Sequence, residues 1–323
     1  MSGGRFASES NYEVLSIAAL FTAPLLLLFS LLPTPLSAQT TPGDNSPEPS
    51  LACPHNMILI DALYCPHAAS HKCLEEGPSK PHHPSTCLRF DTSTPPCRVP
   101  ERRLRFCIDR FEFPNIMGAF PPSMINARDA SALCIEVGKR LCWESEWTLA
   151  CEGPDRLPYP FGYIRDKTRC NIDKPYIKPS TKTIFGRDQD KATTELLRLD
   201  QSTPSGTLSG CSSPFGVFDM SGNFSEWVLL EKPRGRGAWA GSKGGHWAQV
   251  RNVCRITSTA HPESWRYYPL STRCCADPLK ASNVMTPKPW ASPGKRILPR
   301  RPRKPTVTNR GWTPQQDAQP TPP

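Results

Sequence analysis

Asp219, Asn223 and Glu226 place three hard oxygen donors within one short run, FGVFDMSGNFSEW at 215–227. Gly222-Asn223 is a turn signal inside it, because both residue types tolerate positive φ. A turn crowded with oxygen and able to aim carbonyls inward suits Ca²⁺, which takes six to eight oxygen ligands. The same residues also suit an Asx-type turn whose carboxylates cap backbone N–H groups. Their spacing is not that of an EF-hand. Further on, His246 and the triplet His261-Pro262-Glu263 form a second candidate group. A His/His/Glu set is a ligand set for non-haem iron or zinc. The alternative is that His261 and Glu263 are hydrogen-bonding loop residues and that His246 is a partly buried side chain beside Trp247.

Fourteen cysteines are spread from Cys53 to Cys275. Their number is even, and no pair of CxxC knuckles occurs at zinc spacing. Reducing compartments rarely keep so many, so the pattern predicts a disulfide framework in an oxidising compartment. Six of them, Cys53, Cys65, Cys73, Cys87, Cys97 and Cys107, crowd into 51–107, where sequence leaves fifteen pairings open. His55, His67, His71, His82 and His83 share that segment. Their irregular spacing and the oxidising setting argue against a metal cluster.

These groups need elements to hold them. Asn126 can cap a helix over 126–138, with Asp129 as its return partner. Ala130, Leu133, Cys134 and Val137 make one apolar face, and Gly138 ends it. A second short helix spans 143–151, stopped by Gly153-Pro154, with Trp143, Trp147, Ala150 and Cys151 on one side. Together the helices bury Cys134 and Cys151. Met57 to Ile60 could make one strand in a cysteine-rich segment with little else to build a core. The charged stretch 174–209 reads as a surface loop. Cys211 stands close before the central run and is available to Cys170.

Several of these segments, taken in order, resemble the formylglycine-generating enzyme (sulfatase-modifying factor) family. The run 215–227 resembles its Gly-Leu-Tyr-Asp-Met-x-Gly-Asn-x-x-Glu-Trp signature. FCIDRFEFPN at 106–115 is similar to its Phe-x-Ile-Asp-x-Tyr-Glu-Val-Thr-Asn strand. Asp129-Ala130 with Cys134, Arg140-Leu141 with the Glu144 to Trp147 segment, YPFG at 159–162, GGHW at 244–247 and Arg273-Cys274 match in the same order. The resemblance covers about 105–277. It implies an α+β, loop-rich, disulfide-stabilised fold related to C-type lectins. It departs at Cys142-Trp143, which replaces the family's Pro-Thr and removes a Thr cap.

By resemblance, structural calcium would be held by the Asp219 and Glu226 side chains and the Gly222 and Phe224 carbonyls. A further site would use Asn171 and the Ile172 carbonyl. The family's oxidases bind Cu(I) through two cysteines shortly after the Gly-Gly, soft thiolates being what Cu(I) selects. Here the segment 246–254 is shorter and holds one cysteine, Cys254. Its spacing to Cys274 matches the family's structural cysteine. The match implies the bridges Cys134–Cys274 and Cys151–Cys254, with Cys142 and Cys275 left over for each other. No copper is therefore expected. The catalytic residues are unknown, with His246, His261 and Glu263 as candidates. The leading expectation is a non-catalytic or altered-chemistry member whose groove binds a protein or peptide. The other is an oxidoreductase, forming formylglycine or using another metal.

The ends complete the plan. Residues 1–38 read as a signal peptide, with an apolar run at 14–32 and a small-residue cleavage site at 36–38; an uncleaved membrane anchor is the alternative. Residues 39–50 are a polar linker, 51–104 a cysteine-rich extension and 105–279 the family-like domain. Net charge is +10, but the proline-rich tail 280–323 concentrates it, with eight Lys and Arg against Asp317 in 281–323 alone. That tail cannot bury enough surface to fold alone. It is either solvated or a contact for anionic surfaces. Nucleic acid is not expected, since no aromatic-basic sheet motif occurs.

Overall fold

The computed structural model describes residues 51–78, 86–236 and 239–280. The expected signal peptide (1–38) and linker (39–50), and the expected tail from 281 on, lie outside them. In chain order the elements are β1 (Leu51–Ala52), β2 (Met57–Tyr64), β3 (Cys73–Glu76), β4 (Cys87–Phe90), β5 (Arg102–Asp109), α1 (Ala127–Glu136), β6 (Arg140–Leu141), α2 (Glu144–Glu152), α3 (Thr181–Ile184), α4 (Gln189–Leu199), β7 (Ser225–Leu229), β8 (Ala240–Lys243), β9 (Thr257–Ser258), β10 (Leu270–Thr272), β11 (Cys274–Ala276) and β12 (Leu279–Lys280). Long irregular connections separate most of them, and prolines such as Pro121, Pro122, Pro158, Pro160, Pro175 and Pro179 lie in those connections, as a residue without a backbone donor requires.

Two four-stranded sheets carry the structure, ordered β2-β5-β11-β6 and β10-β7-β8-β9. In β5 the alternating Leu104, Phe106 and Ile108 are buried, as period-two patterning demands of a strand with one core face. They meet Ile60, Trp147, Leu149, Val217 and Val228 in the main core. Each large apolar side chain so buried contributes roughly 1.5–3 kcal/mol. A parallel bridge from Trp143 to Leu229 ties the start of α2 to the second sheet.

The strand expected at Met57 to Ile60 runs on to Tyr64 and pairs along its whole length with β5. The cysteine-rich segment therefore adds a strand to the domain's own sheet, and Ile60 and Tyr64 enter the main core. Its cysteines pair as Cys53–Cys107, Cys65–Cys97 and Cys73–Cys87.

Helix α1 has the expected Asn126 cap, with Asp129 N–H donating to Asn126 Oδ1 at 2.8 Å and Asn126 N–H donating back to Asp129. Helix α2 starts without a side-chain oxygen at Trp143; instead Trp143 N–H donates to Glu146 at 2.9 Å. One expectation needs correcting. The stretch 174–209 is not all loop, because it folds α3 and α4. Asp188 caps α4, and Ile184, Leu196 and Leu199 pack against Met124, Phe224 and Trp247. The charges that suggested a loop occupy the solvent face of an amphipathic helix.

Candidate functional site

The run 215–227 folds as a tight turn leading into β7. Asp219, Gly222 and Asn223 all have positive φ. Only glycine fits at 222, since a Cβ there would stand 2.3 Å from the Asn171 carbonyl oxygen. That close approach lets Asn223 N–H donate to Asn171 O at 3.0 Å. The two segments to which the resemblance assigns calcium are thus packed against each other.

The carboxylates of this turn have protein partners. Glu226 receives Arg273 Nε and Nη2 at 2.6 and 2.7 Å and Trp147 Nε1 at 2.7 Å. Asp219 accepts from Gly206 N–H at 2.6 Å. Glu112 accepts from Ser205 Oγ, Asn223 Nδ2 and Phe224 N–H. Burial pushes Asp219 up to about 6. Burial first, then the charges of Asp219 and Glu226, hold Glu112 well above the usual carboxylate range. Arg273, fully buried, is the cation this group gathers around. Both oxygens of Glu226 thus already accept hydrogen bonds, Oε2 from the guanidinium and the indole and Oε1 from the guanidinium. Among the described residues no three His, Cys, Asp or Glu side chains are grouped to hold a metal. Asn171 Oδ1 is nonetheless buried with no hydrogen-bond partner there.

A second buried polar group lies against the ring of Trp147. Lys243 Nζ stands 5.0 Å from the centroid of its ring and donates to Thr257 Oγ1 at 3.1 Å. Burial lowers Lys243 to about 8. Glu152 pairs with Arg255 at 2.6 Å, yet burial outweighs that partner and raises its carboxyl to about 7.

An open cleft of about 290 Å³ lies on one face of the second sheet. Ser225, Ser242, Ser258 and Leu270 contribute to it, one from each strand. The Gly-Gly segment forms one wall with His246, Gln249 and Arg251. Asn252 fixes that segment by donating to the carbonyls of Gly244 and His246 at 3.1 and 3.0 Å, while Arg165 bonds Asn252 and the Val250 carbonyl. The facing wall is a stack of rings. His261 lies on Trp265 with centroids 3.6 Å apart and planes at 11°, and Tyr267 follows at 4.9 Å. Burial, with Arg236 nearby, lowers the pKa of His261.

The structure brings His246 and His261 to this one cleft but not Glu263. Glu263 is buried, is not among the lining residues, and has Arg128 at 4.0 Å. The expected His/His/Glu set is therefore not assembled. Sequence reading missed Trp265, Tyr267, Arg251 and the three floor serines. The aromatic crowding in the 265–268 segment was the available signal for the ring wall; scattered serines offer none.

Every cysteine is paired. Besides the three N-terminal bridges the structure contains Cys134–Cys274, Cys142–Cys275, Cys151–Cys254 and Cys170–Cys211, and no cysteine is free. Among the described residues no helix is long and apolar enough to cross a membrane.

Together these features define a loop-rich, disulfide-pinned α+β domain with an open cleft on a sheet face. Residues 109–267 match the model of the sulfatase-modifying factor enzyme 1-like domain, and this stretch is a domain of that family. A curated relative, the serine/threonine-protein kinase pkn1 of Chlamydia caviae, is 33% identical over 99 residues, which cover 30% of this chain and 12% of the relative. Solved structures with similar folds include variable protein 1 of Treponema denticola, at TM-score 0.40 and 13% identity over 69% of this chain and 95% of that one. CarF scores 0.42 at 13% identity over 68% and 98% respectively.

Proposed function

We propose that this is an exported, non-catalytic member of the sulfatase-modifying factor family that binds a peptide segment of a protein partner in the cleft beside the Gly-Gly turn. The supporting observation is the closure of all fourteen cysteines into seven disulfides. Cys254, the one cysteine of the segment 246–254, is tied to Cys151. The cleft then has no thiol to offer, and a two-thiolate Cu(I) centre has no donors. What it does offer is hydroxyls, an amide, an arginine and stacked rings, groups that bind side chains and backbone. Seven bridges also suit an oxidising compartment outside the cytoplasm.

The test begins with thiols. Unfolded, unreduced protein should give no reaction with a thiol reagent, and native protein should take up no Cu(I). Binding is then read from tryptophan fluorescence as peptides are added, with Trp265 in the cleft wall as reporter. A reactive thiol pair, or conversion of a cysteine peptide to its aldehyde by copper-loaded protein, would replace this reading with the oxidase one.

A further inference from the structure

The charge of the cleft narrows the class of occupant, on the reading that the cleft binds peptide. Its ionisable lining side chains, apart from Tyr267, are Arg251, His246 and His261, and no Asp or Glu is among the lining residues. Arg236 stands near His261 as a further cation. Arg251 is exposed and at the cleft wall, where its guanidinium can pair with a carboxylate in a forked geometry. On the facing side the His261–Trp265–Tyr267 stack gives a flat flank suited to a planar or bulky apolar side chain. The volume, about 290 Å³, is near the lower end for small-ligand sites and takes one or two side chains rather than a folded surface.

We infer that the cleft selects a peptide segment in which an Asp or Glu neighbours an aromatic or large aliphatic residue. The carboxylate meets Arg251 and the apolar side chain packs on the ring stack. A basic segment is disfavoured, because it would meet only like charge with no acidic partner in the lining. The chain's own tail at 281–323, with eight Lys and Arg against one Asp, is excluded as occupant by the same argument.

The test is selection of a randomised, displayed nonapeptide pool on immobilised full-length protein, followed by sequencing. The wild type should enrich Asp and Glu over Lys and Arg by about 5–10-fold next to an aromatic position, the scale of one well-formed ion pair at a cleft rim. Arg251→Glu should invert that charge preference while keeping the aromatic one, and adding 0.5 M salt should erase most of it. Arg251 is exposed, and an unchanged melting temperature checks that the variant folds. Trp265→Ala should remove the aromatic preference. Enrichment that depends on Trp265 but ignores charge would overturn this inference and leave the peptide-binding reading standing. Enrichment of basic peptides would do the same. No enrichment that responds to either variant would overturn both.

Discussion

Arg273 is a charged side chain with zero exposure, held by Glu226 through two hydrogen bonds and by the Asp109 and Phe218 carbonyls. Removing one partner of a buried pair strands the other charge, and here Asp219 would lose a nearby cation as well. Arg273→Gln should lower unfolding free energy by about 3–5 kcal/mol in urea titrations. Glu152 gives a pH signature. Its folded pKa of about 7 lies above the unfolded 4.5, so folding favours the neutral acid. That contribution is complete below about pH 4.5 and is lost as pH rises through 7. Stability of the wild type relative to Glu152→Gln should therefore fall by on the order of 2–3 kcal/mol between pH 4.5 and 7.5. At this scale the sequence showed which oxygens gather in the 215–227 run. It did not show that an arginine 47 residues beyond Glu226 closes over that glutamate, because a cross-strand counter-ion leaves no local trace.

Elements were legible where periodicity and caps agree. Asn126, Asp129 and Gly138 bracket α1 within two residues of its ends, since the cap chemistry is local. Helix α4 was not legible: its apolar residues only make sense against Trp247 and Phe224, which are distant in sequence. The N-terminal bridges were out of reach for the same reason, since Cys53 meets Cys107 only once β2 lies on β5, and Cys73 meets Cys87 only once β3 pairs with β4. Bridges differ in leverage. Cys73–Cys87 closes a separation of 14 residues and Cys134–Cys274 one of 140. On chain entropy alone they are worth about 3 and about 5 kcal/mol. Replacing both cysteines of the long bridge by alanine should depress the melting temperature clearly more than doing so for the short one.

Across the whole molecule, the family resemblance was readable because its motifs sit at turns and strand ends that only certain residues satisfy, such as Gly222 against Asn171. The cleft was less readable, for its floor draws one residue from each of four strands, and their order, β10-β7-β8-β9, sets the last of them beside the first. The net charge of +10 also says little about the body, as it is concentrated beyond the last strand.

One pairing has a practical corollary. Leu51 lies opposite Lys280 where β1 meets β12, so the polypeptide leaves the body where it entered, with backbones about 5 Å apart. A circularly permuted version, with 280 spliced to 51 through about four added residues and reopened between the exposed Lys232 and Pro233, should fold and hide all its sulfur from thiol reagents. Its melting curve beside the parent's would check this. A permutant that keeps the cleft would then offer it on a scaffold freed of both flanking arms.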